Sequence, residues 1–365
     1  MKKISRACFF ASSKIKKKVI CLMSGGVDSS VSAAILQKQG YEVQGIFMHF
    51  WAEPGREGKN LCCSYDAQLN AQAVAQKLGI KLQVINLEKK FKAQVVDYFL
   101  VEYKAGRTPN PCIKCNEFIK FGILNNLIEQ DAMLATGHYA RINEKRKTKN
   151  YELLRAHDKN KDQSYFLYTL TQEQLKRIIF PVGEYTKNQV RKMAIKMNLP
   201  CRTAESFDIC FIGDKGYRDF LKRHTKLQPG KIVDQNNKVI AEHQGLAFYT
   251  IGQRARLGGG LRYVLQLDLK NNIIITTPNE KDLYSRELSV EKWHWISGKP
   301  SKQNMTIQAQ IRYHHKPAKC KIRNKKIVFK KPQRAITPGQ SVVISYKDQV
   351  LGGGIIKKNH EPALF

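Results

Sequence analysis

The stretch Val19-Ile-Cys-Leu-Met-Ser24-Gly25-Gly26-Val27-Asp28-Ser29-Ser30 runs a short apolar strand straight into Ser-Gly-Gly-x-Asp-Ser. An apolar-periodic helix follows at once, with Val31, Ala34 and Ile35 on one side. Two adjacent glycines let the backbone turn tightly and bring N–H groups against a bulky anion. Ser29 and Ser30 would add hydroxyl donors where the helix dipole already favours negative charge. The reading is a pyrophosphate cradle, though not the loop that ends in Gly-Lys-Ser/Thr, because that ending occurs nowhere in the chain. The plainer alternative is a strand–turn–helix whose glycines serve packing alone.

Outward from the cradle, strand and helix alternate from Val19 to about Leu199. Candidate strands are Val19–Met23, Val43–Phe47, Leu82–Leu87 and Met133–Thr136; candidate helices are Ser30–Gln39, Tyr65–Leu78 and Lys89–Lys104. That rhythm predicts an α/β fold with a doubly wound parallel sheet and ligands at the carboxyl ends of its strands. A further amphipathic helical stretch is expected from Ser164 to about Met197, with Leu170, Leu175, Ile178 and Ile179 facing inward. Beyond residue 210 the pattern changes to a small mixed segment, in which residues 252–260 read as a mobile basic loop. From Glu287 onward, strands at Ile307–Tyr313, Ala318–Ile322, Ile327–Phe329, Ser341–Tyr346 and Gly352–Lys357 alternate with turns such as Thr337-Pro-Gly339, which predicts a C-terminal all-β barrel. The expected organisation is a basic tail over 1–18, a catalytic domain over 19–209, a central linker domain over 210–285 and a barrel over 286–365.

Among 365 residues, Lys and Arg number 63 against 30 Asp and Glu, a net charge of +33. An excess that large points to a polyanionic partner, nucleic acid first; codon bias toward lysine is the alternative. The nine cysteines are Cys8, Cys21, Cys62, Cys63, Cys112, Cys115, Cys201, Cys210 and Cys320. An odd number spread over a chain of this size reads as a reducing compartment. The apolar runs are strand-sized, well short of the ~20 residues of a membrane span. Residues 1–18 hold seven Lys or Arg and no acid, which reads as a disordered basic tail in a cytoplasmic protein or, alternatively, as an organelle presequence.

Two cysteine strings bear on chemistry. In Thr108-Pro-Asn110-Pro111-Cys112-Ile-Lys-Cys115-Asn116, Asn110 fits a helix N-cap and Pro111 the first helical position. Cys112 and Cys115 then share a face near the positive end of the dipole, which should lower a thiol pKa. Alone, the Cys-x-x-Cys is compatible with half a zinc site, a redox pair, cluster ligands or chance. The string Ser206-Phe-Asp208-Ile-Cys210-Phe-Ile-Gly213 is weak by itself, since a cysteine between Ile209 and Phe211 is usually a buried apolar residue.

Taken together, these strings and several others resemble the bacterial tRNA-specific 2-thiouridylases, a family of N-type ATP pyrophosphatases. The others are Ala135-Thr-Gly137-His138-Tyr, Lys161-Asp162-Gln163-Ser-Tyr-Phe-Leu, Glu242-His-Gln-Gly245-Leu, Gly252-Gln-Arg254, Arg312-Tyr313, Thr337-Pro-Gly-Gln340-Ser and Leu351-Gly-Gly-Gly. The likeness runs from Lys18 to Lys357, in order. It implies a sheet of the adenine-nucleotide-hydrolase type and 2-thiolation of the wobble uridine of tRNAs for Lys, Glu and Gln. In that reaction ATP, with Mg²⁺, adenylates the 2-position oxygen, and sulfur arrives as a persulfide from a relay protein.

By matching motifs, Cys210 would carry the persulfide and Cys115 would resolve it as a disulfide. Leu22, Met23, Ser24, Gly25, Gly26, Val27, Asp28 and Ser29 would line the ATP phosphates, with Met48 and Gly137 at the adenosine. Asn110, Pro111 and Cys112 fall where the family contacts the flipped base. His138, Lys161, Asp162, Gln163, Arg312, Tyr313 and Gln340 fall where it contacts tRNA. His138 as a satisfied core histidine, and Arg312 and Tyr313 as an ordinary strand edge, are the plainer readings. Many members carry Asp, assigned as a general base, where this chain has Cys112. With Cys115 and Cys210, Cys112 makes a three-thiol set of the kind that holds an iron–sulfur cluster with one open iron. The segment after Gly258-Gly-Gly260 is shorter than the family leads one to expect. tRNA and the persulfide donor are the expected partners of a monomer with no membrane association. Two other readings stand beside this one: an adenylating ligase for a small molecule, and a non-catalytic RNA-binding protein that kept a nucleotide fold.

Overall fold

Four of the five residues of Lys18–Leu22 are buried, so this short apolar run becomes β1 at the centre of a parallel sheet. The computed structural model describes residues 17–55, 64–122, 128–145, 148–202, 209–213, 215–257, 259–300 and 307–357. Most of the basic tail, Cys8, Cys62, Cys63, Asp208 and Gly258 lie outside those residues.

Along the chain, β1 leads to α1 (Val27–Lys38), β2 (Glu42–His49), α2 (Tyr65–Leu78), β3 (Leu82–Asn86), α3 (Glu88–Phe91), α4 (Asp97–Lys104), α5 (Pro111–Lys114) and β4 (Met133–Ala135). A hairpin of β5 (Ala140–Lys145) and β6 (Asn150–Arg155) precedes α6 (Gln172–Lys176), β7 (Ile178–Ile179) and α7 (Lys187–Lys196). The first sheet has the order β3-β2-β1-β4-β7, all parallel. Strand order reverses beside β1: β2 and β3 lie on one side, β4 and β7 on the other. Ligands bind at such a switch point, outside the carboxyl ends of the strands. Val27, Val31, Ala34 and Ile35 of α1 bury against Val190 and Ala194 of α7.

The single helical stretch expected over 164–197 is broken. Ile178 and Ile179 are not a helix face but a strand, paired in parallel with Leu134 and Ala135. Thr171 and Thr186 each open a fresh helix with a capping box, closed by Gln174 and Gln189. These local stop-and-start signals outweigh the apolar spacing.

After α8 (Gly216–His224), β8 (Gly230–Val233), β9 (Val239–His243), β10 (Arg254–Leu257), β11 (Gly260–Asp268) and β12 (Ile273–Thr277) form a second sheet around Ile232, Val264, Leu267 and Ile274. The basic loop expected over 252–260 is therefore mostly strand: Arg254–Leu257 pairs with β11.

The last six strands are β13 (Tyr284–Trp295), β14 (Ile307–Gln310), β15 (Ala318–Arg323), β16 (Lys326–Arg334), β17 (Ser341–Tyr346) and β18 (Gln349–Ile356). They pair in the order β13-β16-β15-β14-β17-β18, and a β13–β18 pairing closes them into an antiparallel barrel. The β5–β6 hairpin extends the barrel sheet, with Leu153 and Leu154 opposite Val350 and Gln349. The strand expected over Ile307–Tyr313 ends at Gln310, so Arg312 and Tyr313 sit in a turn instead. Among the described residues no helix is long and apolar enough to cross a membrane.

Candidate functional site

Between β1 and α1 the chain turns through Gly25 at φ +72°, a conformation that suits glycine. A Cβ there would also strike the carbonyl oxygen of Ala67 on α2. Gly26 is the N-cap of α1, and Ser30 is the first residue whose N–H bonds back, to the Gly26 carbonyl at 3.2 Å. The amides before it have no intrahelical acceptor and point out of the helix end. Across the switch point, the loop after β4 presses Gly137 on the same turn: a Cβ there would sit 2.8 Å from the backbone of Asp28 and of Ser29. Ser29 and Ser30 do not simply offer their hydroxyls outward, because both donate to the Gly26 carbonyl, at 3.0 and 2.9 Å. Ser30 is fully buried; its role is to brace the turn.

The turn opens on a cavity of about 630 Å³. Leu22, Met23, Ser24, Gly26, Val27, Asp28, Ser29, Met48 and Gly137 line it, while Gly25 faces α2. Cys112, Cys115 and Cys210 line the same cavity, although 95 residues separate Cys115 from Cys210 in the chain. Pro111 opens α5 as expected, but Asn110, at the N-cap position, makes no side-chain cap; its side chain bonds the Tyr165 hydroxyl. From Cys115 the helix widens into a π-turn running to Lys120. Cys115 is buried, Cys112 is exposed to the cavity, and Cys210 is half-buried in the turn after Ile209.

The dipole argument for a lowered thiol pKa fails at Cys112. One side of Cys112 opens to the cavity, but the protein packed on its other sides pushes the thiol up by desolvation, with the nearby Lys120 opposing it. Nor are the three thiols gathered as a ligand set. Among the described residues no group of three His, Cys, Asp or Glu side chains is close enough to hold a metal ion. The expected iron–sulfur ligand set at Cys112, Cys115 and Cys210 is thus not assembled in this arrangement.

Of the expected tRNA contacts, Pro111, Cys112, His138, Lys161, Gln163 and Tyr313 also line the cavity. His138 is buried between Phe121 and Phe180, with its Nδ1 2.7 Å from the Thr136 hydroxyl. Burial first and Lys120 second hold its pKa well below 6.5, so the ring is neutral. Gln163 holds Tyr139, accepting from its N–H and donating to its carbonyl. Asp162 turns inward and accepts from the amides of Ala156 and Ser164. Asn110, Asp162, Arg312 and Gln340 do not line the cavity. Gln340 instead donates to the Thr108 carbonyl at 2.9 Å, and the Thr108 N–H donates to Pro338. Tyr165 and Tyr168 bond Ser341. The barrel is thereby fastened to the loop that leads into Cys112.

Several lining residues were not anticipated: Lys120, Tyr139, Asn160, Lys187, Arg202 and His314. Lys187 Nζ lies 2.7 Å from both carboxylate oxygens of Asp28, and the Tyr139 hydroxyl donates to one of them at 2.8 Å. The Arg202 N–H donates to the Gly25 carbonyl. One clue to Lys187 existed in the sequence: it opens α7, whose first turn has no acid, where a cation opposes the dipole. Phe166, Tyr313 and His314 form an aromatic wall, with ring centroids 4.3 and 3.9 Å apart in succession. Among the described residues, Lys120, Lys161, Lys187 and Arg202 against Asp28 make the lining cationic, suited to a polyphosphate.

A parallel sheet with a glycine-lined anion cradle at its switch point defines a nucleotide-binding enzyme of the HUP class. Residues 17–214 match the family model of the tRNA methyl transferase HUP domain, 218–278 its PRC-barrel domain, and 285–356 the aminomethyltransferase beta-barrel domain. The chain is 45% identical to the tRNA-specific 2-thiouridylase MnmA of Heliobacterium modesticaldum, over 94% of each chain. It is 44% identical to that of Carboxydothermus hydrogenoformans, over 94% of this chain and 98% of the relative. A solved structure, the U34-tRNA thiolase NcsA from Methanococcus maripaludis with its [4Fe-4S] cluster, is less similar: 18% identity, TM-score 0.33, covering 55% of this chain and 63% of that one. The chain belongs to the tRNA-specific 2-thiouridylase family.

Proposed function

We propose that this protein is a tRNA-uridine 2-sulfurtransferase that adenylates the 2-position oxygen of the wobble uridine in tRNAs for Lys, Glu and Gln and replaces it with sulfur. One observation carries this reading: the anion cradle and Cys112, Cys115 and Cys210 open on one cationic cavity, of a size that takes a nucleotide. Membership of a family whose relatives bear the name 2-thiouridylase supports it.

ATP lies with its phosphates on the amides of Val27, Asp28 and Ser29. Asp28, together with the phosphates, would hold Mg²⁺, and the ion would screen charge on the departing pyrophosphate. The uridine oxygen attacks the α-phosphorus as N3 gives up its proton to solvent, pyrophosphate leaves, and AMP becomes the leaving group at C2. The outer sulfur of a Cys210 persulfide attacks C2, and the C2–O bond to AMP breaks. Cys115 then attacks the Cys210 sulfur; the S–S bond to the base breaks, its electrons stay on the base sulfur, and N3 regains its proton. A Cys115–Cys210 disulfide remains. Neutral His138 stands by the reacting region as a hydrogen-bonding group without charge. A persulfide relay protein supplies Cys210, and the enzyme works as a cytoplasmic monomer.

The test is a thiolation assay with the full chain, unmodified tRNA, ATP, Mg²⁺ and a persulfide source, counting 2-thiouridine, AMP and pyrophosphate. One AMP per 2-thiouridine is expected. ATP consumption independent of tRNA would favour a small-molecule ligase instead; tRNA binding with no ATP use would leave an RNA-binding protein.

A further inference from the structure

The cavity holds one more thiol than the sulfur transfer uses, and that thiol has the better exposure. Cys115 is only 8% exposed, whereas Cys112 opens to the cavity. A disulfide left between Cys115 and half-buried Cys210 is therefore poorly placed for an external reductant. Exchange needs in-line access to a sulfur.

We propose that Cys112 is the thiol through which that disulfide is passed outward, forming a Cys112–Cys115 disulfide and freeing Cys210 for the next persulfide. The proposal rests on the function given above, which supplies the disulfide. The Cys112 thiolate attacks the Cys115 sulfur, the Cys115–Cys210 bond breaks, and Cys210 leaves as the thiolate. No electrons enter or leave at this step. An external dithiol then attacks the Cys112 sulfur from the cavity; the Cys112–Cys115 bond breaks and Cys115 leaves as a thiolate, after which the dithiol's second thiol displaces Cys112 from the mixed disulfide and the dithiol is oxidised.

Geometry favours this exchange. Residues three apart on a helix carry Cβ atoms about 5–6 Å apart, so a shift of about 1–2 Å reaches disulfide distance. The backbone changes from α to π at Cys115, where the hydrogen-bond ladder is already irregular. Exchange within one helix turn needs only a small thiolate fraction, because the partner's effective concentration is high.

Two measurements decide it. After a single round without reductant, disulfides of the acid-quenched full chain are mapped by proteolysis and mass spectrometry. Wild type is expected to yield the Cys112–Cys115 peptide, and Cys112→Ser the Cys115–Cys210 peptide. With dithiol supplied, the ratio of steady-state rate to first-round rate should fall at least tenfold in Cys112→Ser. A Cys115–Cys210 disulfide as the only one in wild type, or an unchanged rate ratio, overturns the proposal and sends the reductant directly to Cys210. The second arm needs no thiolation: the Cys210→Ser chain treated with glutathione disulfide should close Cys112 to Cys115, whereas a stable glutathione adduct on Cys112 alone overturns the exchange. If wild type makes no 2-thiouridine, the proposed function fails, and this arm still tests the exchange.

Discussion

Lys187 Nζ stands 2.7 Å from each carboxylate oxygen of Asp28, across 159 residues of sequence. The pair joins the first turn of α7 to the first turn of α1, with Lys187 largely buried and Asp28 about a third exposed. Both side chains also line the cavity. The lysine therefore orients the carboxylate and stands ready to meet a phosphate.

Replacing Lys187 by Met should weaken ATP use. A hydrogen bond to a charged group is worth about 1.5–3 kcal/mol, which corresponds to roughly a 10- to 150-fold loss in kcat/KM for ATP. Lys187→Arg should recover part of it. Equal kinetics for wild type and Lys187→Met in the AMP-forming assay would dismiss the role.

Gly25→Ala should both strain the backbone and collide with the Ala67 carbonyl. The expected cost is about 1–3 kcal/mol, read as a lowered urea midpoint, together with loss of nucleotide binding by titration calorimetry. An alanine variant with an unchanged midpoint would mean the turn has room that its geometry denies.

Cys115→Ala and Cys210→Ala should each abolish 2-thiouridine formation while tRNA affinity stays within a few-fold, since neither sulfur supplies a charge to the phosphate backbone. Gel-shift and nucleoside analysis on the same preparations check this. Thiolation retained in both would remove the two-thiol route.

His138 makes stability depend on pH. Its folded pKa lies well below 6.5, so in acid the unfolded chain takes up the proton more readily than the folded one. Its stabilising effect is present above about pH 6.5 and is lost as the pH falls below that value, at up to about 1.4 kcal/mol per pH unit. His243 and His315 are shifted the same way by burial. The informative quantity is therefore the difference between wild type and His138→Gln from pH 7.5 to 5.5. Parallel curves would show that the ring is not held neutral.

The cradle was legible because everything it needs is contiguous: strand, two glycines and helix within a dozen residues. The first four strands of the sheet and the last of the barrel were legible through apolar runs. Ile178 and Ile179 were misread because Leu175, Ile178 and Ile179 follow helical spacing equally well, and only pairing with β4 shows that the two isoleucines form a strand. The basic loop was misread because strand β10 alternates Arg with Ala and Leu, a pattern that charge obscured. At the site, Cys115 and Cys210 stood out through their flanking strings. Arg202 and Lys120 did not, since a cation in a chain of 63 Lys and Arg carries no signal until the fold points it inward. The thiol pKa at Cys112 went the other way because desolvation is a property of packing, which sequence spacing does not encode.

The pairing of Leu153 and Leu154 with β18 has a consequence for synthesis. The hairpin leaves the ribosome about 200 residues before its partner strand, a wait of roughly 10–40 s at ordinary elongation rates. Throughout that interval its edge is unpaired, the kind of template that recruits other chains. Nascent protein should thus be most exposed to aggregation, and most dependent on chaperones, just before the final strand emerges.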